Sequence, residues 1–292
     1  MPLSAEPQRV YRFAPSPTGW LHLGHAYSAI LNHDLARATG GRLLLRIEDT
    51  DVSRVREAFV EGIFTDMAWL GLEFEQPARR QTEHFADYAR AADRLRGMGL
   101  IYPCYASRTE IERAAGSDAV LDPDGQPIYP GIFRDAVAAR LAEYAARGEP
   151  AACRIDMAKA LRHLDERKVL PLSYRSARPD GTIEQIVARP ERWGDAVVVR
   201  KGTPTSYHLS VVVDDALQGV THVVRGQDLY AATHLHRLLQ HLLGLAAPQY
   251  RHHPLILDEG GAKLAKSRLS KPLRQLRAEG ASPDDIRRLA AL

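Results

Sequence analysis

Two histidines, His22 and His25, stand at i and i+3 just after the turn-rich stretch Arg12-Phe13-Ala14-Pro15-Ser16-Pro17-Thr18-Gly19. The prolines and the glycine bar an early helix, and Ala26-Tyr27-Ser28-Ala29-Ile30-Leu31, after Gly24, reads as a helix leaving that turn. A helix start offers unpaired N–H groups and the positive end of the macrodipole, so phosphate is its natural guest. Imidazole N–H groups there can donate to phosphoryl oxygens as charge shifts in a reaction. Gly24, lacking a side chain, lets a flat ring lie against the backbone. Taken alone, the spacing H-x-x-H marks a metal pair or surface histidines more often than a phosphate site.

Other residues could join that chemistry. Glu48-Asp49-Thr50-Asp51 offers carboxylates for an ammonium, and the planar forks of Arg12 and Arg225 match carboxylates. Lys263-Leu264-Ala265-Lys266-Ser267 follows Gly260-Gly261, so a mobile cation is expected there. Each has an ordinary reading when taken alone: an exposed lysine, a strand tyrosine at Tyr207, a structural ion pair at Arg225.

The elements that would position these residues follow from the pattern. Residues 8–13 read as a short strand feeding the turn, Gly40-Gly41 stops the helix, and Arg42-Leu43-Leu44-Leu45-Arg46-Ile47 is a buried parallel strand. This is a right-handed βαβ unit with the site at the carboxyl ends of its strands. A helix over 55–70 would be capped by Asp51 or Ser53. Another is expected over 87–98. Past Tyr102-Pro103 the character changes to loops at 122–127 and 176–181 around an alanine-rich helix at 135–147, which reads as an insertion. Strand-like sequence restarts at 197–200 and continues at 207–213 and 221–225, before a helix at 229–243.

With 292 residues, 45% hydrophobic and 26% charged, the composition is that of a globular protein rather than a fibrous or disordered one. A net charge of +3 permits a nucleic-acid partner without demanding one. The first residues hold no apolar leader and no apolar run is long enough to span a bilayer, so no membrane partner and a cytoplasmic location are expected. Cys104 and Cys153 are too few for a disulfide framework.

The string RFAPSPTG-x-LHLGH, residues 12–25, closely resembles the "HIGH" region of class I aminoacyl-tRNA synthetases, in the form used by the glutamyl subgroup. KLAKS resembles their second signature, "KMSKS", with Ala265 where serine is usual. YHLSVVVDDALQGVTHVVRGQDL, residues 207–229, resembles the second half of the same subgroup. The resemblance runs from residue 9 to about 268. It implies an α/β class I synthetase-type Rossmann fold with an inserted α/β subdomain and a short C-terminal helical segment. The divisions would be 1–100, first half; 101–195, insertion; 196–258, second half; and 259–292, loop and basic helical tail.

That resemblance assigns ATP to His22, Gly24, His25, Lys263 and Lys266, with His22, His25 and Lys266 catalytic. Mg²⁺ would accompany ATP, held by phosphates and water. Glutamate contacts fall to Arg12, Phe13, Ala14, Pro15, Ser16, Glu48, Tyr207 and Arg225. Glu48 would take the ammonium, Arg225 and Tyr207 opposite ends of the substrate, and Arg12 the side-chain carboxylate. The family often carries a zinc site of C-x-C and a later Y-x-x-x-C. The matching positions here are Cys104, Ala106, Tyr129 and Phe133, so zinc is not expected, and apolar packing would replace it.

Full glutamyl enzymes continue into a helical anticodon-binding domain, and this sequence stops soon after KLAKS. It therefore resembles the short paralogues that attach glutamate to the queuosine base in the anticodon loop of tRNA(Asp). L-glutamate, ATP and tRNA(Asp) carrying queuosine are the implied partners, with the insertion and the basic tail gripping the anticodon arm. A truncated enzyme charging a tRNA 3′ end, a glutamate activator for another carrier, and a non-catalytic tRNA-binding module are the alternatives.

Overall fold

The computed structural model describes residues 8–256 and 271–292. Strand β1 (Val10–Phe13), helix α1 (Leu23–Ala38) and strand β2 (Arg42–Ile47) form the expected unit, with Val10 opposite Arg42 and Phe13 opposite Leu45 in parallel register. Every residue of β1 is buried. A parallel strand covered on both faces shows a continuous apolar run, which is why β2 was legible to the residue. Helix α2 (Glu57–Trp69) and strand β3 (Glu75–Arg80) follow, β3 running parallel to β2. The cap expected for this helix is not made. Arg56 is its N-cap without a side-chain bond, because Asp51 accepts instead from Ser53 Oγ and Arg54 Nε within the preceding loop.

Helix α3 (Phe85–Gly97) leads into strand β4 (Ile101–Cys104), helices α4 (Arg108–Ala115) and α5 (Ala138–Ala146), strand β5 (Ala152–Ile155) and helix α6 (Met157–Glu166). Strands β6 (Ser173–Ala177), β7 (Ile183–Val187) and β8 (Val197–Val199) come next. Helix α7 (Tyr207–Leu217), strand β9 (His222–Gly226), helix α8 (Ala232–Leu242) and strand β10 (Gln249–His253) complete the second half. Helices α9 (Leu273–Ala278) and α10 (Pro283–Leu289) form the C-terminal segment.

Strand pairing does not respect a division at residue 195. The sheets run β1-β2-β3, β7-β6-β10-β9 and β4-β5-β8. So β8, read as reopening the second half, pairs antiparallel with β5 of the insertion, while β6 and β7 extend the sheet of β9 and β10. The first two sheets abut where Thr221 N donates to Val10 O (3.0 Å) and Val10 N donates to Thr221 Oγ1 (2.8 Å).

Residues 207–213 form a helix, not the strand expected. Ser206 caps it by accepting from Leu209 N, and Leu209 through Asp215 are all buried. A helix buried on every side shows no 3.6-residue stripe, and three consecutive valines then mimic a strand.

The C-terminal helices close the molecule beside the site. Leu273 and Ile286 are fully buried in one cluster with Phe13, Ala26 and Ile30, and Leu273 N donates to Leu21 O at 2.7 Å. Basic residues read as a grip for tRNA are engaged on the protein itself. Lys271 bonds Glu279, Arg277 bonds Asp66, and Arg274 lies over the Trp20 ring at 4.2 Å.

Candidate active site

His22 is the N-cap of α1, and its geometry settles the tautomers. His22 Nδ1 accepts from Gly24 N (3.1 Å), and His25 Nδ1 accepts from His22 N (3.2 Å), so each neutral ring carries its proton on Nε2. Burial lowers the pKa of His22, while burial and the neighbouring His22 lower His25 to about 3. The rings lie 3.9 Å apart. The helix start thus presents two neutral N–H donors alongside its free backbone N–H groups. A Cβ on Gly24 would come within 3.1 Å of His22 Cε1, so this glycine keeps the His22 ring against the helix start.

These histidines line a cleft of about 480 Å³ with Arg12 through Ser16, Gly24, Glu48, Tyr207 and Arg225. Every glutamate-contact residue expected from the sequence therefore meets at the carboxyl ends of β1, β2 and β9. The 12–16 loop is tied to β2 by Glu48 N donating to Pro15 O (3.0 Å). Lys263 and Lys266, with Ala265 between them, lie outside the described residues.

A buried charge network stands behind the cleft. Arg46, fully buried, bonds Glu48 Oε1 (3.1 Å) and Asp215 Oδ1 (2.8 Å), and Arg12 Nε donates to the same Asp215 oxygen (3.2 Å). Asp214 Oδ2 also lies 3.8 Å from Arg46 Nε, so the two arginines face three carboxylates, one of them shared with Arg79. Burial raises Glu48 above its ordinary value against the opposing pull of Arg46 and Arg12. Asp215, although buried, is held low by Arg12 and Arg46. Its neighbour Asp214 accepts from Arg79 Nε, Gln81 Nε2 and Tyr88 OH, each at 2.8 Å. Asp49 is structural too, accepting from Thr82 N and Oγ1.

Arg225 differs. It is 5% exposed and, among the described residues, forms no ion pair with a carboxylate. Its N–H groups meet neutral acceptors: His252 Nε2 (3.4 Å), Tyr207 OH (3.3 Å), His236 Nδ1 (3.3 Å) and Thr233 Oγ1 (2.7 Å). Four of its five hydrogens are engaged, and Tyr207, accepting from Arg225, keeps its own proton to donate. Desolvation and Arg225 push His236 well below 6.5 and His252 to about 2, so neither imidazole competes as a second cation. A nearly buried guanidinium in neutral surroundings calls for an anion from outside.

Sequence reasoning missed Arg46, Asp214, Asp215, Thr233, His236 and His252. Consecutive aspartates ending an apolar run carried a signal for the network, because buried acids need buried cations. Thr233, His236 and His252 carried none, since only the tertiary fold brings α8 and β10 to Arg225.

The insertion positions matching the zinc pattern also converge. Cys104, Ala106, Tyr129 and Phe133 are all buried in one cluster, with Tyr129 OH accepting from Phe133 N (2.9 Å) and Arg154 lying 4.0 Å over the Tyr129 ring.

A nucleotide-type α/β sheet with an HLGH helix start beside a carboxylate-and-arginine cleft defines a class I synthetase catalytic core. Residues 9–291 match the family profile for tRNA synthetases class I (E and Q), catalytic domain. The chain belongs to that family. The glutamyl-Q tRNA(Asp) synthetase of Rhodobacter capsulatus is 47% identical over 290 residues, covering 97% of this chain and 100% of that protein. The protein of the same name from Pseudomonas aeruginosa is 39% identical over 284 residues, covering 97% and 85%. A solved glutamate tRNA ligase from Elizabethkingia meningosepticum, in complex with its amino acid, shares the fold with a TM-score of 0.69 at 24% identity, covering 94% of this chain and 53% of its own. The chain thus spans about half of that structure. Methionyl-tRNA synthetase of Mycobacterium tuberculosis, bound by methionyl-adenylate, gives a TM-score of 0.57 at 14% identity, covering 98% and 64%. No helix among the described residues is long and apolar enough to cross a membrane.

Proposed function

We propose that the chain condenses L-glutamate with ATP to glutamyl-adenylate and passes the glutamyl group to queuosine in the anticodon loop of tRNA(Asp). Arg225 is the observation that carries the glutamate reading: a nearly buried cation with no counter-charge among the described residues, opening on the cleft that also holds Glu48. Glu48 spends Oε1 on Arg46 and offers its other oxygen to the ammonium. Arg12 spends Nε on Asp215, so the side-chain carboxylate goes chiefly to Arg225 and Tyr207, with Arg12 beside them. The relatives named for glutamyl-Q tRNA(Asp) support the acceptor.

In activation, an α-carboxylate oxygen attacks the α-phosphorus of ATP, and pyrophosphate leaves with the bonding pair. His22 and His25, as Nε2–H donors, meet phosphate oxygens as their charge grows, and remain neutral throughout. Lys266 is assigned the cation opposite them. The donors at the helix start fit a triphosphate, and Mg²⁺ bound to that triphosphate would neutralise part of its charge. In transfer, a hydroxyl oxygen of the queuosine diol attacks the glutamyl carbonyl, AMP departs with the electron pair of the broken C–O bond, and the hydroxyl proton passes to solvent. ATP and tRNA as substrates support a cytoplasmic location for the proposed reaction.

Glutamate-dependent ATP–pyrophosphate exchange tests the first half. Exchange that requires glutamate is expected. A protein that binds ATP yet shows no exchange, with or without tRNA, would overturn the reading.

A further inference from the structure

A second cavity of about 540 Å³ lies between the β4-β5-β8 sheet and α7, and Tyr207 lines both it and the glutamate cleft. Trp193, Arg154, Arg200 and His208 line it, with Asp122 and Asp124 also contributing. Aromatic side chains, Trp193 and Tyr207, mixed with guanidinium groups in one wall suit a nucleotide, whose base packs on apolar rings and whose phosphate pairs with arginine. Arg154 Nε and Arg200 Nε are buried without a hydrogen-bond partner among the described residues.

Hydrogen bonds connect the two cavities. Arginine can only donate, so Arg225 Nη1–H facing His236 Nδ1 (3.3 Å) places the His236 proton on Nε2. That proton faces His208 Nδ1 at 3.2 Å, which leaves His208 protonated on its own Nε2. The chain Arg225–His236–His208 therefore runs from the glutamate cleft to a neutral donor in the wall of the second cavity. Burial and Arg225 together hold His208 down to about 4, which preserves this arrangement at neutral pH.

We propose that this cavity receives the acceptor nucleoside base-first and that His208 Nε2–H donates to an oxygen of that nucleoside, positioning it beside the adenylate. The inference rests on the proposed function and adds the acceptor subsite to it. Queuosine carries a protonated secondary amine, for which Asp122 and Asp124 supply counter-charge on the facing loop. The Arg225 end of the chain makes the His208 donor sensitive to the charge bound in the glutamate cleft, so the two subsites are electrostatically coupled.

The test compares exchange with single-turnover transfer from preformed adenylate to tRNA(Asp) containing queuosine, using the full chain. Arg200→Met does not touch the histidine chain; we expect exchange within about twofold of wild type and transfer slowed by about tenfold. His208→Leu should slow transfer by a similar factor of about ten. His208→Gln, whose amide can accept from His236 and donate to the cavity, should recover most of it. Arg200→Met and His208→Leu that both transfer at the wild-type rate would overturn the proposal, as would Arg200→Met losing exchange and transfer in parallel. Wild-type protein without glutamate-dependent exchange would instead sink the proposed function itself, and the subsite with it.

Discussion

Arg225 concentrates the recognition problem in one side chain. Its fork is held by Thr233, His236, His252 and Tyr207, none of which cancels its charge. An Arg225→Lys protein keeps the charge but not the fork, and three donors on a flexible stem cannot reproduce contacts on four neutral partners. We predict a loss of about 2 kcal/mol in glutamate binding, roughly a thirtyfold rise in KM for glutamate, with little change in thermal stability. Unchanged KM with lowered stability would make Arg225 a structural residue. The helix start that carries the histidine pair was legible from the prolines and glycine before it, because a helix start makes local demands, whereas the spacing of the pair alone favoured an ordinary reading. The tautomers were not legible, since they depend on which backbone N–H each Nδ1 receives.

Helix α7 does the positioning at the next scale. It brings Tyr207 and His208 to the two cavities at its start and Asp214 and Asp215 to the buried arginines near its end. Asp215→Asn would remove the carboxylate bonded to both Arg12 and Arg46 and leave them Glu48 and the more distant Asp214, which Arg79 already engages, as counter-charge. Uncompensated burial of that kind costs about 3 kcal/mol or more, to be read as a lowered urea midpoint. A loss below about 1 kcal/mol would mean that water reaches the network. This helix was misread as a strand because its burial on all sides removes the period that separates the two. By contrast β2 was placed correctly, its apolar run being short and bounded by Gly41 and Glu48. That strand pairing crosses residue 195 was not legible for another reason: local pattern identifies strands but not their partners.

The Cys104 cluster makes a prediction at the same scale. Its four members pack as one buried group, and Tyr129 OH is occupied by Phe133 N. One thiolate and a phenol do not close a tetrahedral zinc site. Metal analysis should find less than about a tenth of an equivalent of zinc, and EDTA should leave the melting temperature unchanged. One zinc per chain surviving chelator treatment would contradict this.

For the whole molecule, the partly buried histidines set the response to acid. His25 is lowered to about 3, His208 and His222 to about 4, and His252 to about 2, in each case mainly by desolvation. Between those values and 6.5 the unfolded chain binds more protons than the folded one, so stability falls as pH drops through that window. At pH 5 unfolding should take up on the order of four protons, about one for each of these rings, and the urea midpoint should lie below that at pH 7. Equal midpoints at the two pH values would mean that these rings are not held neutral in the folded protein.

The central claim joins a glutamate-activating cleft to a nucleoside acceptor outside the tRNA 3′ end, and one labelling experiment tests it directly. Radiolabelled glutamate and ATP are supplied with tRNA from cells that make queuosine and, separately, from cells that cannot. Label is expected on tRNA(Asp) from the first source alone, retained after enzymatic removal of the 3′ terminal nucleotide. Equal labelling of both preparations, lost with that nucleotide, would contradict the central claim and place the acceptor at the 3′ end.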